Sequence, residues 1–141
     1  MAMTVQVEIV SAEGAMHSGQ AAMVYAPGQM GELGIAPRHA PLITWLKPGD
    51  VRVEDAQGQV RQFYVSGGLL EVQPDVVTIL ADRAILAQNI DEAAALEAKR
   101  HAEDALSGQM AQFEYAKAQS ELAEAIAQLR TIEKLRKMKT N

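Results

Sequence analysis

The chain has 141 residues, which allows one ordinary domain or a compact domain with an appendage and excludes a large multi-domain enzyme. With 48% apolar and 22% charged residues, it has the composition of a folded protein with a packed core. The formal net charge of -5 argues against a general nucleic-acid-binding protein, and the absence of cysteine excludes disulfides, thiolate metal sites and a catalytic cysteine.

The first part of the chain, over residues 4–86, has the short alternating apolar segments that are typical of β-strands. Val5, Val7 and Ile9 alternate with polar residues, which predicts a strand with one buried face. Further strands are predicted at 23–25, 42–46, 51–53, 63–65, 69–72 and 76–80. Because Pro and Gly turns separate these segments and no helical period lies between them, an antiparallel sandwich or barrel is favoured over parallel βαβ units.

The second part, from Asn89 onward, is rich in Ala, Glu, Lys and Leu, which are good helix formers, and it contains no Pro. Asn89 or Asp91 can cap a first helix, and Gly108 is placed to end it. A second, longer helix is then expected to begin at Gln109 or Met110. The chain is therefore predicted to fold as a β-sandwich domain over 1–86 followed by an antiparallel two-helix hairpin over 87–141.

Small residues at helical spacing predict a seam between the two helices. The seam is expected to be weak, because each methyl group buries little area. Its expected members are Ala95, Ala98, Ala102 and Ala105 on the first helix and Ala116, Ser120, Ala123 and Ala127 on the second. A separate apolar stripe, which the first helix cannot fully cover, consists of Leu122, Ile126, Leu129, Ile132 and Leu135.

The sequence gives no sign of targeting to or across a membrane. The N-terminus lacks a basic segment followed by an apolar one, and no uninterrupted apolar run reaches about 18 residues anywhere. We expect a cytoplasmic protein that reaches a membrane only through a partner.

No arrangement of reactive residues predicts chemistry. His17, His39 and His101 stand singly, with no nucleophile or second ligand at a useful spacing, so we predict no catalytic residue, no metal site and no cofactor. Gly67-Gly68 joins two predicted strands, whereas phosphate loops join a strand to a helix N-terminus. A bulge or a close approach of strands is the better interpretation of these glycines.

Three long blocks, in order and spacing, resemble the ATP synthase epsilon subunit family. They are GELGIAPRHAPL at 31–42, LKPGDVRV at 46–53 and VSGGLLEVQPDVVTILAD at 65–82. The helical part also resembles this family, at 90–93, 98–100 and 125–130. The resemblance covers nearly the whole chain.

The resemblance implies a ten-stranded sandwich that binds the gamma subunit and rests on the c-ring of a proton-translocating ATP synthase. It implies no active site, since catalysis belongs to the beta subunits of that enzyme. The helical tail is expected to restrain ATP hydrolysis by reaching toward the alpha and beta subunits. The implied location is the peripheral, cytoplasmic face of the cell inner membrane, as part of the complex.

Contacts with the partners are expected at two places. Glu32, in a loop flanked by glycines, and His39 are candidates for the c-ring contact, the alternatives being a solvated loop acid and a hydrogen-bonded turn residue. The candidates for contact with the alpha and beta subunits are Arg130, Lys134, Arg136 and Lys137. The alternative is an ordinary solvated helix end, where basic residues are favoured by the helix dipole.

Some members of the family bind ATP at the hairpin through an Asp and an Arg three residues later. Here Asp91 is present, but the Arg position is Ala94. Without a guanidinium to hold phosphate in bidentate fashion, we expect no tight nucleotide binding.

Two functions of other classes stay open from the sequence. One is a stand-alone binding module, a sandwich with a helical arm attached to an unrelated complex. The other is a small hydrolase, for which the sequence displays neither nucleophile nor base.

Overall fold

A computed structural model describes residues 3–108 and 111–139. The chain divides between Leu86 and Ala87 into two compact units. The first unit is built of β-strands and the second of helices. This is the predicted fold class.

Over residues 3–86, the described part of the first unit, there are ten short strands, each three to eight residues long. They are β1 Val5–Ser11, β2 Gly14–Ala21, β3 Met23–Gly28, β4 Gly31–Ile35, β5 Leu42–Leu46, β6 Gly49–Glu54, β7 Val60–Val65, β8 Gly68–Val72, β9 Val76–Ala81 and β10 Ala84–Leu86.

The strands form two five-stranded layers joined at one corner. Hydrogen-bonded neighbours follow the order β10-β7-β6-β3-β5-β8-β9-β1-β2, and β4 also pairs with β3. β3 and β5 share a single pair, Gly28 with Leu46, so the path passes there from the layer β4-β3-β6-β7-β10 to the layer β5-β8-β9-β1-β2. Neighbouring strands are antiparallel except β1 and β9, which run parallel.

Side chains from both layers fill one apolar core. The inward residues of β1 are fully buried, which confirms the alternation of Val5, Val7 and Ile9. Phe63 of β7 and Ile79 of β9 belong to the same buried cluster. Burying one side chain of this size contributes about 1.5–3 kcal/mol to the free energy of folding, so many such side chains together stabilise the sandwich.

Three strands have no clear signal in the sequence. β2 consists largely of small and polar residues, β4 contains two glycines, and β10 is three residues long. The expectation that Glu32 lies in a loop is wrong, because Glu32 is part of β4 and pairs with Pro27 of β3. Only Gln29 and Met30 separate these two strands, so backbone pairing extends through the glycines.

Gly67 and Gly68 mark the close approach of strands that the sequence predicts. Their φ angles are +121° and +142°, which L side chains rarely adopt. A Cβ atom on Gly68 would lie 2.9 Å from the Cα of Ala81 and closer still to the carbonyl oxygen of Leu80. Any side chain at this position would push β8 away from β9.

The second unit consists of a 3-10 turn at Ala87–Asn89, helix α1 at Glu92–Ser107 and helix α2 at Gln112–Lys139. Asp91 is the N-cap of α1, and Gly108 ends that helix as predicted. The expected start of the second helix, Gln109 or Met110, lies outside the described residues. In the described part of the chain, neither helix has the combination of length and apolar character needed to cross a membrane.

The seam predicted between the helices is only partly correct. The buried residues of α1 are Ala95 and Ala102, seven positions apart, whereas Ala98 is exposed. Those of α2 include Ala118, Ala125 and Ile132, again seven apart, together with Ala127 and Thr131. Ala116, Ser120 and Ala123 are exposed, so their place in the seam was wrong. An alanine-rich helix offers small residues on several faces, and the seven-residue spacing typical of paired helices identifies the buried one.

Candidate functional site

Glu32 stands on β4 beside the exposed tip of the β3–β4 hairpin. Its Oε1 accepts a hydrogen bond from Nη2 of Arg52 on β6, at 2.5 Å. The Glu32 side chain is 51% exposed and that of Arg52 22%. The carboxylate therefore faces solvent while one of its oxygens is held by the sheet.

Arg52 is itself held on two further sides. Its Nη1 donates to Oδ2 of Asp50 at 3.2 Å, and its guanidinium lies 4.8 Å from the ring centroid of Tyr25 on β3. Nε2 of the buried Gln62 on β7 donates to the same Asp50 oxygen at 3.3 Å. A chain of contacts thus runs from Gln62 on β7, through Asp50 and Arg52 on β6, to Glu32 on β4.

His39 lies in the segment between β4 and β5, and it is partly exposed. Its Nδ1 donates to the carbonyl oxygen of Ala40 at 2.7 Å. The backbone of Arg38, with a φ of +63°, donates to the carbonyl oxygen of Pro74 at 3.0 Å, which ties this segment to the β8–β9 turn. Glu32 and His39 therefore have different partners, on β6 and within the loop respectively.

An apolar row crosses the outer face of the second layer. Trp45 of β5 pairs with Leu69 of β8, Leu69 with Leu80 of β9, and Leu80 with Val10 of β1. Trp45 is 61% exposed, and Ile43, on the same face of β5, is 68% exposed. We call Trp45, Leu69, Leu80 and Val10 the apolar row.

Sequence reasoning placed β5 but missed the row. The signal is that β5 is apolar at both parities, since Leu46 points into the core while Ile43 and Trp45 point away from it. A strand with one buried face usually carries polar residues on its solvent face, so an exposed tryptophan there is unusual. Such a residue indicates a second surface to be covered.

Beside the apolar row lies a polar network on β1 and β2. Glu8 Oε1 accepts hydrogen bonds from Nε2 of Gln6 at 2.7 Å and from Oγ of Ser18 at 2.9 Å. These two bonds lower the pKa of the Glu8 carboxyl from its ordinary value. The network keeps this edge of the face charged and wet, in contrast to the apolar row.

His17 of β2 lies where the two layers meet, a placement that its isolation in the sequence did not indicate. Its ring packs edge-on against Phe63 of β7, with centroids 5.8 Å apart, and its Nδ1 lies 3.3 Å from Nη1 of Arg61. Its Nε2 is buried, and no other residue that the structure describes forms a hydrogen bond with it. Burial first, and then the charge of Arg61, lower the pKa of His17, while Glu8 acts in the opposite sense.

The start of α1 is tied to the end of α2. Oδ1 of Asp91 accepts a hydrogen bond from the backbone N of Ala94 at 3.1 Å, which satisfies one of the free donors of the first turn. The next residue, Glu92, forms a two-bond ion pair with Arg136 of α2, in which Nη1 and Oε1 are 3.2 Å apart. Asp91 is therefore engaged in capping and Arg136 in clasping the hairpin.

The other candidate basic residues are spread along the last turns of α2. Arg130 is exposed and Lys134 is partly exposed. Lys137 lies 3.5 Å from Glu133, one turn before it. Arg136 differs from these residues in that its guanidinium pairs with Glu92 of α1.

Two family models match the chain and together cover most of it. Residues 4–87 match the model described as ATP synthase, Delta/Epsilon chain, beta-sandwich domain, and residues 88–133 match the long alpha-helix domain of the same chain. The boundary between the two models falls within one residue of the division between the two units.

Curated relatives match over nearly the full length. A protein of Methylococcus capsulatus named ATP synthase epsilon chain 1 is 62% identical over 97% of this chain and 98% of its own. A protein of Nitrosococcus oceani named ATP synthase epsilon chain is 61% identical with the same coverage. A match of this extent does not favour the alternative of a stand-alone binding module.

Solved structures share the fold at low sequence identity. A chain in the cryo-EM structure of the Euglena gracilis mitochondrial ATP synthase, OSCP/F1/c-ring, matches with a TM-score of 0.81 and 21% identity, covering 88% of this chain and 78% of that one. A chain of the Tetrahymena thermophila mitochondrial ATP synthase central stalk/c-ring matches with a TM-score of 0.64 and 12% identity, covering 92% and 97%.

Proposed function

The chain belongs to the epsilon-chain family of F-type ATP synthases, and we propose that it is a non-catalytic rotor subunit of the central stalk that couples the catalytic head to the c-ring. The observation that carries this proposal is the apolar row, because exposed large side chains in a contiguous patch are typical of protein-binding surfaces. The structural relatives belong to F1/c-ring and central stalk/c-ring assemblies, which supports a place in that part of the enzyme.

The gamma subunit is the proposed partner of the apolar row. Covering Trp45 and Ile43 would remove apolar surface from water at about 25 cal/mol per Å², and tryptophan is among the residues that dominate binding energy in interfaces. The polar network on β1 and β2 would form the wet rim of the same interface.

Co-purification with gamma tests this assignment. Trp45→Ala should weaken gamma binding by about 2 kcal/mol or more, as expected of an interface hot spot, without unfolding the exposed site. Val60→Ala is the control, since Val60 is also exposed and apolar but lies on β7, outside the row. Equal gamma binding by Trp45→Ala and Val60→Ala would remove the row from the interface.

We propose that Glu32 and His39 contact the c-ring. The Glu32 carboxylate is exposed and retains acceptor sites beyond its bond to Arg52, and the ring of His39 is partly exposed. Substituting Glu32→Gln should lower proton pumping driven by ATP in the assembled enzyme, while Glu54→Gln, on β6 of the same sandwich, should not. Unchanged pumping in Glu32→Gln would contradict this assignment.

The helix pair is proposed to restrain ATP hydrolysis by exchanging its internal contacts for contacts with the alpha and beta subunits. The basic residues assigned to this capture are Arg130, Lys134, Arg136 and Lys137. Arg136 must first leave Glu92, so the hairpin and the captured state compete for one guanidinium. Neutralising all four residues should relieve the restraint, and unchanged hydrolysis in the coupled enzyme would contradict their role.

A disulfide across the seam tests whether opening is required. Cysteines replace Ala102 on α1 and Ala125 on α2, buried residues that the Glu92–Arg136 pair places at about the same level of the antiparallel hairpin. Oxidation should abolish the restraint of hydrolysis without abolishing ATP synthesis, and reduction should restore it. Equal restraint in the locked and reduced forms would exclude the switch.

No nucleotide site is proposed in the hairpin. Asp91 already accepts a backbone hydrogen bond as the helix cap, and Ala94 offers no cation to phosphate. Calorimetric titration of the full chain with ATP should give no binding at micromolar concentrations. A clear binding isotherm would overturn this.

The chain is proposed to have no turnover of its own and to lie at the cytoplasmic face of the inner membrane, held there through the assembled complex. Hydrolysis of ATP by the purified chain alone would revive the alternative of a small hydrolase. In cell fractionation, the chain should be found with the membranes when gamma is present. It should move to the soluble fraction when gamma is depleted.

A further inference from the structure

Glu32 is contacted by a second charged residue, Arg52, which the family resemblance did not single out. Nη2 of Arg52 donates to Oε1 of Glu32 at 2.5 Å. Among the described residues, Arg52 is the one side chain that pairs with this carboxylate. We propose that Arg52 is the positioning residue of the c-ring contact, an inference that rests on the proposed role of Glu32.

Arg52 is suited to positioning because it is fixed independently of Glu32. Asp50, with its side chain 10% exposed, accepts from Nη1 at 3.2 Å, and the Tyr25 ring supports the guanidinium at 4.8 Å. A planar guanidinium that donates from Nη1 to Asp50 and lies over the Tyr25 ring has a restricted orientation, in which Nη2 is presented to Glu32. The flexible glutamate at the sheet surface thereby acquires a defined direction.

The pairing leaves Glu32 able to bind. A carboxylate has about four acceptor sites, of which Arg52 occupies one through Nη2. Asp50, Arg52 and Glu32 together carry a net charge of -1 (two acids and one base), so the cluster stays attractive to a hydrogen-bond donor or a cation on the ring. Fixing the side chain before contact reduces the rotamer entropy lost on binding.

The test uses membranes from which the native epsilon subunit has been removed. It measures the concentration of added chain that restores half of the ATP-driven proton pumping. Glu32→Gln should raise that concentration about tenfold, which corresponds to about 1.4 kcal/mol. Arg52→Ala should reproduce most of this loss, and Arg52→Lys should fall between, because it keeps the charge and loses the planar fork. Arg61→Ala is the matched control, an arginine of the same sandwich that lies over Phe63 instead.

The double variant Glu32→Gln/Arg52→Ala should be no weaker than Glu32→Gln alone, since each change removes the same ion pair and positioning has no effect once the acid is absent. The charge-swapped pair Glu32→Arg/Arg52→Glu can restore an ion pair within the sheet but not an acid at the ring, so it should stay weak. Recovery by the swapped pair would show a purely structural role and overturn the inference.

The outcomes separate this inference from the proposed function. No effect of Glu32→Gln would overturn the ring contact and the positioning role with it. A loss in Glu32→Gln together with full activity in Arg52→Ala and Arg52→Lys would keep the ring contact and overturn the positioning role. An additional loss when Arg52→Ala is placed in the Glu32→Gln background would overturn the positioning role, because Arg52 would then act independently of Glu32.

Discussion

The sandwich and the helix pair differ in the size of the side chains that hold them together. The first buries valine, isoleucine, leucine and phenylalanine from two layers, whereas the buried residues of α1 are Ala95 and Ala102 alone. A buried alanine contributes about one methyl group, near 0.8 kcal/mol, against about 1.5–3 kcal/mol for a larger side chain. We therefore expect the sandwich to be the more stable unit and the helix pair to open more easily, as the proposed release of the tail requires.

The largest effect is expected where the sandwich has no space. Gly68→Ala places a Cβ against the backbone of Leu80 and Ala81 and should cost more than about 3 kcal/mol in the free energy of unfolding, measured in urea. Gly14→Ala is the control, because Gly14 also has a positive φ, +128°, but a Cβ there would meet nothing within 4 Å. Similar losses in the two variants would show that the backbone angle, and not the strand approach, sets the cost.

The next effect should be confined to the helices. Ala102→Leu overfills a buried position and should destabilise the hairpin by about 1–3 kcal/mol, seen as an earlier loss of helical circular dichroism on heating. Ala98→Leu makes the same change at an exposed position of the same helix. Alanine and leucine have similar helix propensity, so the comparison isolates the effect of burial. If Ala98→Leu were the more damaging, the assignment of Ala102, and not Ala98, to the buried face of α1 would be wrong.

The cap of α1 should matter less. Asp91→Ala removes the acceptor for the Ala94 amide and should cost about 1 kcal/mol of hairpin stability, whereas Asp91→Ser should recover most of it. Thermal unfolding followed at a helical wavelength measures both. No difference between the two variants would mean that the cap contributes nothing.

The clasp between Glu92 and Arg136 should contribute still less in water. Both side chains are largely exposed, so the coupling energy from a double-mutant cycle with Glu92→Gln and Arg136→Gln should be about 0.2–1 kcal/mol and should shrink as salt is added. A coupling well above this range, unaffected by salt, would show that the hairpin is tightly locked.

The smallest effect is a dependence of sandwich stability on pH. Because the pKa of His17 is lowered in the folded protein, the folded state favours the neutral ring, so stability should be full above the ordinary histidine pKa of about 6.5 and should fall as the pH drops below it. His17→Gln should flatten this decline, whereas His101→Gln, which changes an exposed residue of α1, should not. A steeper decline in His17→Gln would reverse the assignment.

Sequence reasoning succeeded where a local pattern and tertiary burial coincide. The alternation of Val5, Val7 and Ile9 fixed β1, and the glycine after Ser107 marked the end of α1. It failed where long-range pairing decides the structure. β4 exists because β3 offers it a partner across a two-residue turn, and this converts the expected loop around Glu32 into a strand.

The site followed the same division. The resemblance drew attention to Glu32, but Arg52 is twenty residues away in the sequence, and only the β3–β6 and β3–β4 pairings bring the two together. The alanines of the helices fit several faces equally well by spacing, so choosing the buried one required the fold. The doubly apolar β5 was a visible signal, and it pointed to a surface rather than to the core.

The most direct measurement of the contrast between the two units is native-state hydrogen exchange of the full chain, resolved by residue. Amides in β1, β7 and β9 should exchange only through global unfolding, while those in the middle of α1 and α2 should exchange through a local opening of lower free energy. Equal protection of the two units, up to the global free energy of unfolding, would contradict a rigid base with a releasable helix pair.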